Sequence, residues 1–425
     1  MGGKPRMQRF FALGVALAAG TLPVAARPLP HRGVGKAAPS SAKAAKVKAA
    51  PAKVAPTVAT LPPIKAVSPP PMWAVAYAPD GAHLAVGAYR RVLLYDAATG
   101  AKTGDFVVSS DAIRILAYSP DGKTLAAGTG VPGRSGTLVL LDAATGQVVR
   151  MIKDHDDTIE AIAWEGNGLL LTAADDESVG INDATTGKSV ASLTEHIGRC
   201  LSVAVPIKTD ADNGGDIFAT GGADKAVKIW DAKLRRVVVN FDQSPGAIWC
   251  LSPQPRAGAF AAGCDDGKLR IFQVRADGKA RANAAPNEPD PRTGYMAREQ
   301  SDHTGAVYAV ATSPDFAHVV TGGADGKVNI WNGDAGYRQR QLTEAKRDIW
   351  GVAVSPDSKK VAAASLDGRT RVYDLATGAL QFTLDTKGVV APPPATPSAG
   401  APTPAGGPTP VVPKKTPMPA RMTMR

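Results

Sequence analysis

The chain has 425 residues, 44% hydrophobic and 20% charged, enough for two or three ordinary domains or one large core. Its three cysteines, Cys200, Cys250 and Cys264, are too few and too scattered for a disulfide framework; Cys250 and Cys264 fall on neighbouring strands of one expected hairpin, and whether they pair is left open. The formal charge of +11 belongs to the ends: no Asp or Glu precedes Asp80 or follows Asp385, and without the 11 Lys and Arg of residues 1–79 and the 5 of 386–425 the middle holds 33 basic against 38 acidic residues, which excludes a partner argument from overall basicity.

In chain order, residues 1–26 place a basic stretch (Lys4, Arg6, Arg9) before an apolar run from Phe10 to about Gly20 and the small residues Val24, Ala25 and Ala26. That is the layout of a secretory signal peptide, cleaved after Ala26, and it predicts a secreted or periplasmic, bacterial-type protein. An organelle transit peptide or a plain basic end is the alternative. The apolar run is too short for a transmembrane span, and no later stretch qualifies. Residues 27–70 are rich in Ala, Pro and Lys with few large apolar side chains, so the expectation is a disordered linker. Its lysines would make weak contact with any polyanion, in the cell or at the envelope. With no aromatic interleaved for base stacking, no sequence-specific nucleic-acid binding is expected.

From 71 to 385 the chain repeats itself. The turn phrase "APDG" at 78–81 returns as "SPDG" at 119–122, "SPDF" at 313–316 and "SPDS" at 355–358; Pro79 to Pro120 is 41 residues and Pro314 to Pro356 is 42. Each unit reads as a short apolar strand, this turn, a small-residue strand, a tight turn, a strand ending near an aromatic and an Asp, and a last strand. The units begin near Trp73, Arg114, Glu160, Leu201, Trp249, Tyr308 and Trp350. A 40–45 residue period of strands without helical periodicity predicts an all-β propeller of four-stranded antiparallel blades, seven by this count. The fourth unit has a lengthened hairpin, "DADNGGD" at Asp210 to Asp216, whose oxygens suit calcium in kind but not in the spacing of a twelve-residue loop. The fifth has a long excursion over 275–300. Residues 386–425 are Pro-rich, and a disordered tail is expected there.

Five phrases, "KIWD" (228–231), "NIWN" (329–332), "LLYDAATG" (93–100), "VLLDAATG" (139–146) and "RVYDLATG" (371–378), resemble WD repeats over about 73–384. The resemblance implies a buried hydrogen-bonded set within each blade, built from a His, a Ser or Thr, an Asp and a Trp. Matching positions are His303, Thr321, Asp325 and Trp331, then His196, Thr220, Asp224 and Trp230, then His155, Thr172 and Asp176 with Asn182 in the Trp place. Asp266 and Asp367 fill the Asp place in units five and seven. The first two units lack it, and apolar packing alone is expected to hold them. The resemblance also implies that the residue at a bulge starting each innermost strand faces the top of a central channel. Those residues are Trp73, Arg114, Glu160, Leu201, Trp249, Tyr308 and Trp350, with Trp249, Tyr308, Trp350 and Trp73 forming one aromatic arc.

Three His at equivalent places in different blades are too far apart to meet at one ion or substrate. Neither His-Glu-x-x-His nor Cys-x-x-Cys-His occurs, and the Gly-x-Gly-x-x-Gly at Gly128 to Gly133 leads into a strand rather than a helix N-terminus. No catalytic residue, metal or cofactor is therefore expected. The expected function is a non-enzymatic binding scaffold whose top face meets a protein, peptide or glycan. Two other readings are an intracellular scaffold with a polyanion-binding Lys-rich arm, and a ligand-binding or enzymatic propeller using the channel mouth.

Overall fold

The computed structural model describes residues 69–206, 217–254, 258–275, 293–333 and 336–390. All regular structure among them is β. Sheet one contains β1 (Met72–Tyr77), β2 (His83–Asp96), β3 (Lys102–Tyr118), β4 (Thr124–Val131), β5 (Ser135–Asp142) and β6 (Val148–His155). Four sheets of four strands follow. They are β7 (Ile159–Glu165), β8 (Leu169–Ala174), β9 (Val179–Asp183) and β10 (Ser189–Leu193); β11 (Cys200–Ala204), β12 (Ile217–Gly222), β13 (Val227–Asp231) and β14 (Arg236–Phe241); β15 (Ile248–Pro253), β16 (Ala259–Cys264), β17 (Lys268–Arg275) and β18 (Thr293–Ser301); and β19 (Val307–Thr312), β20 (His318–Gly323), β21 (Val328–Asn332) and β22 (Arg338–Leu342). The last sheet has β23 (Ile349–Val354), β24 (Lys360–Ser365), β25 (Arg369–Asp374), β26 (Leu380–Asp385) and β27 (Gly388–Val390). Each sheet is an antiparallel meander in sequence order. Hydrogen bonding thus groups the strands into six sheets, the first of six strands, where the sequence count expects seven units.

The strand sequences follow from how the sheets stack. Second strands such as β12 and β16 are buried along their whole length, whereas the outer β10 and β18 are largely exposed. A strand covered on both faces reads as a continuous run of small apolar residues, and one at the rim is polar. The small residues are needed for close approach: a Cβ at Gly221 would lie 2.4 Å from the Ile248 side chain of the next sheet, and one at Gly322 would lie 2.4 Å from that of Ile349. Innermost strands neighbour one another in a closed cycle, β1 lying against both β3 and β23.

The repeated turn phrase is a local necessity. Its Ser caps the turn, as where Ser119 Oγ donates to Asp121 at 2.7 Å, and its fourth residue takes φ near +70° at Gly81 and Gly122, where glycine has no Cβ penalty. Phe316 and Ser358 occupy the same conformation at φ 62° and 56°, which explains why "SPDF" and "SPDS" still form the turn.

One expected boundary shifts. The tail does not begin at 386, because Gly388–Val390 pairs with the outer strand β26. The last sheet is completed by chain that follows it, and it meets sheet one through side chains: Tyr95 Oη donates to the Asp385 carbonyl at 2.6 Å and Lys102 Nζ to that of Thr386 at 2.9 Å. The signal peptide, the Lys-rich linker to residue 68, the Asp210–Asp216 loop and the tail beyond 390 lie outside the described residues. All three cysteines are free thiols. Cys250 pairs with Gly263 in the ladder, so Cys264 points to the opposite face.

Candidate functional site

Two of the sheets carry a complete polar relay, and a third carries a variant of it. Trp331 Nε1–H donates to Thr321 Oγ1 at 2.9 Å, the Thr321 hydroxyl lies 2.8 Å from His303 Nε2, and His303 Nδ1 lies 2.9 Å from the Asp325 carboxylate. Trp230, Thr220, His196 and Asp224 repeat it at 2.8, 2.7 and 2.9 Å. In the third set His155 lies 2.7 Å from Thr172 and 3.0 Å from Asp176, Ser178 joins at 3.0 Å, and Asn182 reaches Thr172 only at 3.5 Å. In each set Nδ1 faces a carboxylate and Nε2 a threonine hydroxyl, so an Nδ1–H donor with Nε2 as acceptor satisfies both ring nitrogens. Burial lowers the His303 pKa, although Asp325 opposes it. Burial raises Asp176, Asp224 and Asp325, but hydrogen bonds from their His partners and neighbouring groups outweigh it and hold them below the ordinary range. These groups sit in separate sheets and none of them lines the central cavity, so they brace the fold.

The remaining sheets use other devices. Arg270, itself buried, pairs with Asp266 at 2.6 Å and Glu299 at 2.9 Å. Arg371 pairs with Asp367 at 2.7 Å. In sheet one Ser109 and Thr129 hydroxyls meet at 2.9 Å and Thr129 donates to the Ala112 carbonyl at 2.8 Å. This corrects the expectation that apolar packing alone holds the second unit.

The ring positions have one structural cause. In every innermost strand the ladder skips one residue, and the skipped residues are Trp73, Arg114, Glu160, Leu201, Trp249, Tyr308 and Trp350. A bulge leaves its extra residue unpaired and re-aims its side chain. All seven line one cavity of about 160 Å³. Leu201 is buried and the other six are half-buried.

The four expected rings do not form one continuous arc. Tyr308 and Trp350 stack at 4.4 Å between centroids, and Trp249 meets them edge-on at 5.1 and 6.1 Å. Trp73 instead lies under the Arg114 guanidinium at 5.7 Å. Trp249 Nε1 donates to Asp265 at 3.0 Å, whereas Trp350 Nε1 is buried without a partner. Burial pushes the Glu160 carboxyl up to about 7, with Asp175 and Asp157 adding to the shift and Arg114 and Arg199 opposing it.

Three members of the mouth were not picked out from the sequence: Arg199, stacked over Trp249 at 5.7 Å and paired with Asp175 at 3.5 Å, Asp175 itself, and Asp265. Asp175 and Asp265 each precede the structural Asp of their hairpin, and Arg199 precedes the innermost strand by one residue, which is the signal that locates them. Among the described residues no three His, Cys, Asp or Glu side chains are placed to hold a metal, and no helix is long and apolar enough to cross a membrane.

The family described as WD domain, G-beta repeat matches residues 187–231, 235–273, 295–332 and 336–374, and the anaphase-promoting complex subunit 4 WD40 domain matches 107–167. The chain is a WD-repeat β-propeller. It is similar to a guanine nucleotide-binding protein subunit beta of Saccharomyces cerevisiae, 26% identical over 44% of each chain. It is also similar to the DENN domain and WD repeat-containing protein SCD1 of Arabidopsis thaliana, 27% identical over 45% of this chain and 14% of that one. A subunit beta of Oryza sativa is 22% identical over 62% of this chain and 66% of its own length. The chain spans less than two thirds of each. These relatives are eukaryotic, and they lend no support to the bacterial-type setting expected from the first 26 residues.

Proposed function

We propose that this propeller is a non-enzymatic scaffold that binds a protein or peptide at the channel mouth formed by the seven bulge residues. One observation carries the reading: the side chains freed by the bulges are rich in Trp, Tyr and Arg, the residues that dominate binding hot spots, and they converge on one cavity. The Trp350 indole N–H, buried without an acceptor, is a donor a partner carbonyl would satisfy. The test places a photo-crosslinker at Arg347, in the loop entering β23, and at Lys123, in a turn at the other end of the strands. Crosslinks to a partner at 347 but not 123, lost in the Trp249→Ala/Trp350→Ala double variant while melting stays close to the parent, support the reading. Undiminished crosslinking in the double variant overturns it.

We further propose seven blades, the first two sharing sheet one. A straight strand of β2's length would span about 46 Å, yet the Ala97 amide donates to the Ala82 carbonyl at 2.9 Å, so β2 doubles back near Arg90, whose φ is 67°. β3 pairs with β2 over 102–112 and with β4 over 113–118, which supports two blades joined by continuous chain. For location, the sequence layout supports export with cleavage after Ala26, while a scaffold inside the cell fits the fold and relatives equally. The N-terminal residue of the native protein decides: Arg27 supports export, and a retained residue 1 overturns it.

A further inference from the structure

Charge at the mouth is unbalanced on the wall formed by β3, β7, β8 and the loop entering β11. Three carboxylates, Asp157, Glu160 and Asp175, face two guanidinium groups, Arg114 and Arg199. Asp157 already accepts the amides of Gly133 at 2.9 Å and Thr158 at 2.7 Å. Asp175 is paired with Arg199 at 3.5 Å, and its Oδ1 is buried without a hydrogen bond. Arg114 lies on Trp73 and makes no ion pair among the described residues. Glu160 accepts no hydrogen bond from them either, although it sits beside Arg114 in the ring. Burial raises both Glu160 and Asp175 in spite of the two arginines, and by count the wall holds one more carboxylate than guanidinium.

The facing wall supplies what a flat cation needs. Trp249, Tyr308 and Trp350 line it as a cluster of aromatic rings, a group whose faces carry a negative quadrupole, and the cavity of about 160 Å³ admits a side-chain head rather than a folded element. We propose that the mouth receives one arginine side chain of a basic partner segment, its guanidinium paired with Glu160 and lying against the Trp249–Tyr308–Trp350 rings. A guanidinium suits the place better than an ammonium because it is planar, stacks on aromatic faces and meets a carboxylate with two parallel N–H donors. The backbone that carries it brings a carbonyl within reach of Trp350 Nε1–H. An acidic ligand is disfavoured, since Arg199 is engaged by Asp175 and Arg114 by Trp73. This inference rests on the mouth being the docking site.

The test uses the full chain labelled with ¹⁵N at its six Trp and follows the indole N–H signals during titration with an N-acetylated, C-amidated Gly-Gly-Arg-Gly-Gly peptide. Peptides with citrulline, lysine or glutamate in place of the arginine serve as comparisons. The expected result is a shift of the Trp249 and Trp350 signals by the arginine peptide, with citrulline binding at least about tenfold more weakly and glutamate weakest. Since the cation needs ionised Glu160, affinity should rise about tenfold between pH 6 and pH 8, and Glu160→Gln should abolish that rise while leaving the melting temperature unlowered. Glu160→Asp, which keeps the charge, should retain the pH dependence. Stronger binding of the glutamate peptide, or a Glu160→Gln affinity within twofold of the parent, overturns the arginine inference. If the Trp249→Ala/Trp350→Ala variant loses its native partner while Glu160→Gln keeps both partner and peptide, only the arginine inference falls; if the double variant keeps the partner, the docking reading falls with it.

Discussion

Removing the Asp325 side chain probes the polar relay most directly. Its carboxylate accepts His303 Nδ1–H at 2.9 Å, the Thr304 amide at 3.2 Å and the Lys327 amide at 3.1 Å. In Asp325→Ala the imidazole donor, whose side chain is 1% exposed, has no replacement acceptor, and a buried unpaired donor costs about 1–3 kcal/mol. The two amides lie near the surface, where water recovers part of their bonding, adding about 1 kcal/mol together. The expected loss is therefore about 2–4 kcal/mol, and with a urea m-value of roughly 3 kcal/mol/M the midpoint falls by about 1 M. Asp325→Asn keeps an acceptor for His303 and should recover about half of the loss. Urea unfolding followed by tryptophan fluorescence measures both variants. A loss below about 0.5 kcal/mol in the alanine variant would refute the relay as a stabilising unit.

The same relay sets a pH dependence with a defined sign. Because His303 is lowered in the fold, the unfolded chain protonates first, and stability should decline as pH falls below about 6.5; the lowered Asp176, Asp224 and Asp325 add a second decline below about 4, and a urea midpoint unchanged from pH 7 to pH 3.5 would contradict both. Arg270→Met should destabilise by about 2–4 kcal/mol, since it leaves Asp266 without its bidentate partner, and a midpoint equal to the parent's would show that the pair contributes nothing. Burial raises the thiols of Cys200, Cys250 and Cys264, so iodoacetamide should label none of them at pH 8 in the native protein and all three after denaturation without reductant; a single label would reveal a disulfide.

Strand order and turns were legible because each is written in local chemistry: the Pro-Asp turn fixes where one strand ends. The bulge positions were reached through the resemblance to WD repeats rather than from spacing. What surrounds those residues was less legible. Arg270 and Arg371 replace the His-centred relay, but an Arg inside a strand reads as an ordinary rim residue until the Asp four positions earlier is seen to turn back onto it. Ser109 and Thr129 are 20 residues apart on strands read as apolar. Trp73 leaves the arc because its indole is taken by Arg114 from the adjacent strand, a choice made by side-chain geometry rather than spacing. The grouping into six sheets comes from β3, which pairs with β2 over 102–112 and with β4 over 113–118 and so carries two units in one sheet without a break.

The skipped residue of each innermost strand has a consequence for how such a molecule changes over generations. Its backbone is passed over by the ladder and its side chain lines the cavity, so replacing it leaves the strand pairing in place. On the docking reading proposed above, what the mouth recognises and what pairs the strands are written at different positions of the same repeat. A lineage can exchange Trp for Leu or Arg for Glu at these seven places and acquire a new ligand without first losing its architecture. The price of the arrangement is narrow, seven letters in all, but they are the seven that meet at one point.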